Sequence, residues 1–200
     1  FREVFFPFGV PPSGLRRLGV LTAAVREEAK HREFYLSFLN LSGWGEEGDI
    51  FGNILSLLCG LSEVREAQDM ADALLRERIH EPYPVRAVLE PIEETSCLWR
   101  PYMKRHDQNR SWQYHNGGIW PFVGAFWVML LARLERTDLA WKELARVAEL
   151  NRINDWEFNE WFHGKTGDPM GMTGQSWNAA LFLLAFQELR GRGFSSVVLD

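Results

Sequence analysis

Apolar residues recur along this chain at the three- and four-residue spacing of helices, and the helical segments follow one another in pairs. Consecutive helices with short connections pack as antiparallel hairpins, so the arrangement predicts an all-α chain of about six helices. Strand patterns are weak and confined to two short segments. The predicted helices span residues 15–31, 50–60, 62–79, 120–135, 138–150 and 174–190, and the weak strand patterns lie at 34–44 and 195–200.

A long segment, residues 80–118, separates the helix pairs and is rich in Pro, Tyr, Trp and His. Loops of this length in a compact domain usually carry function. Eight of the nine tryptophans lie between residues 99 and 177, most of them beside Gly, Asn, Gln or Pro. Indole faces in such polar loops are typical of a sugar-binding cleft. Trp127 and Trp141 occupy helical positions instead and are predicted to be core residues.

The composition is that of one globular domain over residues 1–200, with 46% hydrophobic residues and a net charge of −5. This charge argues against a nucleic acid or an anionic membrane as the partner. No apolar run reaches the ~18 residues of a membrane span, and the first residues lack the layout of a signal peptide. Cys59 and Cys97 lack disulfide or metal spacing, which favours a reducing, cytoplasmic compartment. Cys59 lies in an apolar run and is predicted to be buried.

The segment GWGEEG, residues 43–48, has the spacing of a dinucleotide-binding loop but not its context. No βαβ unit surrounds it, and Glu46 and Glu47 would repel a pyrophosphate. We interpret it as a flexible loop that exposes Trp44 and the two acids. The five histidines lack the spacing of metal ligands, and neither a serine nucleophile elbow nor a phosphate-binding loop occurs. No metal or other cofactor is therefore predicted.

Two segments combine polar groups with glycines and large aromatics. In QYHNGGIWPF, residues 113–122, paired glycines allow a close backbone approach or a positive φ before a helix that starts near Pro121. This segment is either a structural turn or a loop that presents polar side chains to a polyhydroxylated ligand. In NEWFHGKTG, residues 159–167, aromatic neighbours predict partial burial of Glu160. The spacing alone leaves open whether Glu160 is catalytic or an ordinary surface acid.

The order of YHNGGIWP, EWFHGKTG and GQSWNAALFLLA resembles a clan of α/α-toroid glycoside hydrolases. The clan includes alkaline/neutral invertases, mannosylglycerate and glucosylglycerate hydrolases, the α-glucosidase I group and amylo-α-1,6-glucosidase-like proteins. Residues 48–67, GDIFGNILSLLCGLSEVREA, resemble an invertase segment that lies upstream of YHNGG, and the similarity covers residues 34–190. The resemblance implies helical hairpins of an (α/α)6 toroid with long aromatic-rich loops.

The resemblance also implies roles for individual residues. Glu160 matches the catalytic base that activates water for inversion at the anomeric carbon. Gln175 and Trp177 match a pair that lines the sugar subsite, and Trp161 matches the aromatic residue after the base. The positions implied to contact substrate are Trp44, Glu46, Tyr114, His115, Asn116, Trp120, Trp161, Gln175 and Trp177.

The general acid of this clan is an aspartate well upstream of the segment that residues 48–67 match, and this chain begins shortly before that segment. Within the chain, Asp49 and Glu46 are the remaining candidates for the acid, and neither matches it. We therefore expect the C-terminal half of a larger catalytic domain, inactive by itself. Its expected partners are a carbohydrate substrate and the N-terminal half of the same domain, or copies of itself that associate through exposed helix faces.

Two other functions stay open at this point. One is a non-catalytic carbohydrate-binding or scaffolding module, and the other is a purely structural helical domain. The bond that is cut also stays open among sucrose, α-1,6-glucan branches, trehalose-like disaccharides and glucosyl- or mannosylglycerate. A glycerate aglycone would call for basic residues near the pocket, for which Arg100, Lys104, Arg105 and Arg110 are available, although a solvated loop face is the favoured interpretation of most of them.

Overall fold

The computed structural model describes residues 2–8 and 16–191, and in these ranges the chain is helical with two minimal hairpins. This confirms the predicted all-α organisation. The weak strand pattern at 34–44 corresponds to a two-stranded hairpin, whereas residues 195–200 lie outside the described ranges. The elements are α1 Arg2–Phe5, α2 Arg16–Glu28, β1 Leu39–Asn40, β2 Gly43–Trp44, α3 Ile50–Leu58, α4 Val64–Arg76, a 3-10 helix Pro101–Asp107, α5 Pro121–Arg133, α6 Thr137–Trp156, β3 Trp161–Phe162, β4 Pro169–Met170 and α7 Ser176–Leu189.

Helix α5 forms the centre of the fold, because its sequence PFVGAFWVMLLAR is apolar on all sides. It packs against α3, α6 and α7 and buries Trp127 completely, as predicted for that residue. Gly124 lies on the face of α5 that meets the loop before it, where an added Cβ would come 2.5 Å from the carbonyl oxygen of Pro84. Close approach of backbone to helix therefore fixes the start of α5.

The helices α3, α5 and α7 begin at the same end of the molecule. The N–H of Ile50 at the start of α3 donates to the carbonyl of Ala87 (3.0 Å), and the N–H of Ala87 donates to Gly118 (2.8 Å), just before α5. At α7, the N–H of Gln175 donates to Phe158 (3.0 Å). Loops that precede these helices therefore gather over one end of the bundle.

Three local predictions are corrected by the structure. Cys59 is exposed rather than buried, because α3 ends at Leu58 and places it at the C-cap. Trp141 is 39% exposed on α6, where its ring lies at a steep angle to that of Phe186 (ring centroids 5.8 Å, interplanar angle 80°). Helix α4 spans Val64–Arg76 and is shorter than the predicted range 62–79, because Glu63 and Glu66 form a capping box at its start.

None of the helices in the described ranges combines the length and apolar character that a membrane span requires. Helix α6 continues beyond its predicted end at residue 150, but its last turn is irregular. Asn154, Asp155 and Trp156 have φ of 52°, 62° and 68°. This left-handed region is unfavourable for residues other than glycine. The irregular end turns the chain out of α6 towards Glu160.

Candidate active site

A short backbone ladder joins the two motif segments. Ile119 and Phe162 exchange N–H···O hydrogen bonds of 2.8 Å in both directions, and both side chains are fully buried. Successive side chains of extended backbone point to opposite faces, so Trp120 and Trp161 face away from that buried pair. The two segments that the sequence singled out are therefore in direct contact.

An aromatic wall forms on this second face from Tyr114, Trp120 and Trp161. The ring centroid of Tyr114 lies 5.0 Å from that of Trp120 and 5.9 Å from that of Trp161. The indole Nε1–H of Trp120 donates to the carbonyl of Tyr114 (3.1 Å), which fixes the ring rather than leaving its donor for a ligand. The wall is rigid and apolar, but Trp120 and Trp161 are buried (5% and 4% exposed), so Tyr114 and the neighbouring His115 form its accessible side.

His115 stacks on this wall, with its imidazole parallel to the indole of Trp120 (interplanar angle 6°, centroids 5.0 Å). Loss of hydration in this stack lowers the pKa of His115 below its ordinary 6.5, while the charges of Glu160 and Asp49 act in the opposite direction. The imidazole is therefore neutral at neutral pH and offers one donor and one acceptor. His115 is also electrostatically close to both acids.

Glu160 is partly buried and held at the start of the β3–β4 hairpin. Its N–H donates to the carbonyl of Met172 (2.8 Å), and the N–H of Met172 donates back to Glu160 Oε2 (3.3 Å). Gly171 has a φ of +71°, and an added Cβ there would meet Glu160 Oε2 at 2.7 Å. The glycine-rich turn thus fits closely around the carboxylate and orients one of its oxygens.

The paired glycines show both expected features, a positive φ and a close backbone approach. Gly117 has a φ of +104°, and a Cβ on Gly118 would come 2.6 Å from the carbonyl oxygen of Tyr114 and 2.9 Å from the ring of Trp161. A Cβ on Gly164 would lie 2.0 Å from the carbonyl oxygen of Gly117. Glycine is required because the segments before α5 and after Glu160 touch backbone to backbone.

The other residues implied by the resemblance take different positions. Asn116 is only 4% exposed, and its side chain donates to Ile92 and Asn109 and accepts from the N–H of Ile92. It ties down the preceding loop. Gln175 is buried at the N-cap of α7, and Trp177 is the second residue of the helix and is 42% exposed.

Trp44 and Glu46 of the acidic loop, residues 43–48, contact segments outside the wall. Trp44 packs against a small cluster beside α2 that contains Val25 and Leu36. Glu46 accepts a hydrogen bond from the N–H of Lys30 (2.7 Å). The two acids are partly buried rather than fully exposed, because Glu47 accepts a hydrogen bond from Ser37 Oγ (2.6 Å).

A cavity of about 390 Å³ opens beside His115 and Trp120. It is lined by Glu47 and Asp49, which sequence reasoning did not assign to substrate contact, together with the rings of Phe51 and Phe122. Asp49 could have been predicted to line the cavity, because it caps the helix whose start faces the site. Nothing in the sequence indicates that Glu47 rather than Glu46 lines it. Within the described ranges, no group of three or more His, Cys, Asp or Glu side chains is arranged to hold a metal ion.

Comparison with known proteins places these features in a family. A sequence profile of the alkaline and neutral invertases matches residues 49–191, which include the start of α3, the aromatic wall, Glu160 and α7. The chain belongs to the alkaline and neutral invertase family. This family and its structural neighbours are glycoside hydrolases of the α/α-toroid type, as the resemblance implied.

Individual relatives agree with the assignment to the invertase family. The chain is 30% identical over 143 residues to probable alkaline/neutral invertase D of Arabidopsis thaliana. The alignment covers 67% of this chain and 25% of that protein. It is 29% identical to cytosolic invertase 1 of rice, Oryza sativa subsp. japonica, over 67% of this chain and 24% of that protein. The chain thus spans about a quarter of the length of the curated invertases that it matches.

A solved structure supports the fold. The mannosylglycerate hydrolase of Thermus thermophilus, in complex with Tris and D-glycerate, superposes with a TM-score of 0.56 at 23% identity. The match covers 86% of this chain and 39% of that one. The helices described above therefore have the arrangement found in part of a larger hydrolase.

Proposed function

We propose that this chain supplies the catalytic base and the sugar-facing wall of an inverting glycoside hydrolase that acts on an α-linked glucoside or short oligosaccharide. One observation carries the proposal: Glu160 immediately precedes Trp161 of the wall, and its charge acts on His115, the neutral imidazole stacked on Trp120. Names of relatives that refer to invertases and to mannosylglycerate hydrolase support a disaccharide or similar small substrate.

In the proposed reaction, Glu160 takes a proton from a water molecule that attacks the anomeric carbon. The bond from that carbon to the leaving oxygen breaks, and the leaving oxygen receives a proton from a general acid. The two carboxyl groups of such a pair are ~6.5–9.5 Å apart, so that water fits between base and sugar. We assign the acid to polypeptide outside the described residues and expect the 200-residue chain to cleave ordinary glycosides poorly.

The compartment belongs to the same proposal. The reduced cysteines favour the cytoplasm, and the rice relative is named a cytosolic invertase, although other relatives are named mitochondrial or chloroplastic. A debranching or α-glucosidase-like activity remains within the proposed substrate class, because the wall recognises a sugar ring and not a particular linkage.

An exposed helix face indicates the proposed protein partner. Helix α7 is apolar along most of its length, yet Leu183 is 59% exposed, and a cavity of about 300 Å³ beside it is lined by Phe158 and Phe182. We propose that this face packs against the remaining helices of an α/α toroid. The mannosylglycerate hydrolase supports this assignment, since its chain extends well beyond the matched part.

In the isolated chain, the same face is expected to bind copies of itself. Light scattering over a concentration series should show self-association. Leu183→Glu should raise the protein concentration required for association by at least about tenfold, because the charge would be buried in the interface. Leu41→Glu is the control, since Leu41 is 92% exposed in the β1–β2 turn and does not line the cavity beside α7. A wild-type chain that stays monomeric throughout would contradict the proposed interface.

A substrate that needs no general acid tests the proposed function on this chain as it stands. Fluoride leaves carbon without a proton from the enzyme, so hydrolysis of α-glucosyl fluoride requires the base and the sugar pocket alone. We expect the chain to hydrolyse α-glucosyl fluoride with β-glucose as the first product by NMR, and to cleave sucrose far more slowly.

The possible outcomes separate the alternatives. Cleavage of both compounds would support the hydrolase and contradict the placement of the acid elsewhere. Calorimetric binding of sugar without cleavage of either compound would favour a carbohydrate-binding module instead. Release of α-glucose first would contradict inversion, and absence of both binding and cleavage would leave only a structural role.

A further inference from the structure

The cavity beside His115, here called the acidic cavity, carries negative groups without positive ones. Glu47 and Asp49 line it, and the rings of Phe51, Trp120 and Phe122 supply apolar faces. Among the described residues, none that lines this cavity is a lysine or an arginine. The four basic residues of the 100–110 loop are exposed elsewhere, and Lys104 and Arg110 pair there with Glu94.

The two acids of the acidic cavity are each anchored through one oxygen. Glu47 Oε1 accepts a hydrogen bond from Ser37 Oγ (2.6 Å), and Asp49 Oδ1 accepts from the N–H of Gly52 at the start of α3 (3.1 Å). Glu47 Oε2 is buried, with no hydrogen-bond partner among the described residues. A buried carboxylate oxygen in this state is costly, and a ligand hydroxyl would satisfy it.

The acidic cavity adjoins the proposed catalytic site. His115 and Trp120 line it, and the imidazole of His115 interacts electrostatically with both Asp49 and Glu160. A ligand held against the aromatic wall would therefore place part of its structure beside Glu47 and Asp49. Carboxylates bind hydroxyl groups well, and they repel a carboxylate or phosphate at distances below the ~10 Å Debye length.

We infer that the acidic cavity is a hydroxyl-binding subsite that selects uncharged, hydroxyl-rich glycosides and rejects those with a carboxylate or phosphate group. This inference rests on the proposed function for its ligand class, because it assumes that the wall binds a sugar. On this inference, Glu47 and Asp49 distinguish this chain from a hydrolase that acts on glycerate-bearing glycosides.

A matched ligand pair tests the subsite by binding rather than turnover. Glucosylglycerol and glucosylglycerate differ only in a hydroxymethyl group against a carboxylate. Calorimetry at pH 7.5, where His115 is neutral, is expected to show that the wild-type chain binds glucosylglycerol at least about tenfold more tightly, an effect that shrinks in high salt. The double variant Glu47→Gln/Asp49→Asn should bring the ratio close to one.

The variants are chosen to keep the structure. Glutamine retains an acceptor for Ser37, and asparagine is as good an N-cap for α3 as aspartate. Glu90→Gln is the control, because Glu90 carries the same charge on the adjoining loop, is 60% exposed and lies outside the cavity lining. It should leave the wild-type ratio unchanged, and the two single variants should give intermediate ratios.

Failure of the subsite and failure of the proposed function give different results. Equal wild-type affinity for the two ligands, or a ratio that the double variant preserves, would overturn the subsite whatever the enzyme activity. Preference for glucosylglycerol without hydrolysis of α-glucosyl fluoride would support the subsite and count against the role of Glu160. Binding of neither ligand at millimolar concentration would overturn the subsite, and the proposed function would then stand or fall with the hydrolysis of α-glucosyl fluoride.

Discussion

Replacement of Glu160 by glutamine is expected to lower the rate of α-glucosyl fluoride hydrolysis by about 10²–10⁴-fold, the range that a positioned general base contributes. The amide cannot take a proton from water. It can still accept the hydrogen bond that the N–H of Met172 gives to Oε2 (3.3 Å), so the turn around residue 171 should keep its shape. The loss should therefore fall on kcat, while sugar affinity by calorimetry changes little.

Glu157→Gln is the matched control for this experiment. Glu157 is an exposed acid on the approach to Glu160, and its Oε2 accepts a hydrogen bond from Asn154 Nδ2 (3.0 Å). The same change of charge and shape there should leave the rate within about twofold, as for most surface substitutions. A Glu160→Gln chain that keeps its rate within tenfold of wild type would disprove the assignment of the base.

The parts of this site that the sequence predicts are those with local causes. Aromatic residues next to Glu160 predicted its partial burial, and the glycine pair predicted a close approach or a positive φ, both of which the structure shows. Helices were predicted from spacing because each carries its own apolar pattern. The start of α5 at Pro121 follows from proline at the first helical position.

The parts that sequence reasoning missed depend on contacts between distant segments. Nothing local indicates that Ile119 pairs with Phe162, and this pairing decides which aromatics form the wall. Glu46 and Glu47 are neighbours with the same chemistry, yet only Glu47 lines the acidic cavity. Trp141 has the helical spacing of a core residue, but its side of α6 stays exposed in the described part of the fold.

The motif that contains Asn116 and the contacts of its side chain indicate different roles. The resemblance implied a position facing the substrate. In the structure its amide makes hydrogen bonds of 2.7, 2.9 and 3.0 Å to the backbone of Ile92 and Asn109. The structural-turn alternative for the segment 113–122 is therefore confirmed, since Asn116 builds a turn. The presentation of Tyr114 and His115 to a ligand stays a prediction.

Replacement of Gly164 by alanine is expected to cost about 3 kcal/mol of folding free energy, at the upper end of the range for overpacking. The added Cβ would lie 2.0 Å from the carbonyl oxygen of Gly117, and it meets backbone that cannot rotate away. The N–H of Gly164 also donates to Trp112 (2.8 Å), so relief of the clash would break that bond. Thermal unfolding should shift down by about 6–12 °C.

The same substitution should also weaken sugar binding, because it forces the segment that carries Glu160 away from the segment that carries His115. Gly19→Ala is the opposite control, since Gly19 lies inside α2 with nothing within 4 Å of an added Cβ. Alanine there should stabilise the chain by about 0.5–1 kcal/mol, because it favours a helix over glycine. Equal melting temperatures for the two variants would contradict the backbone contact between the two motif segments. A destabilised Gly164→Ala chain with unchanged sugar affinity would show instead that this contact supports the fold without shaping the site.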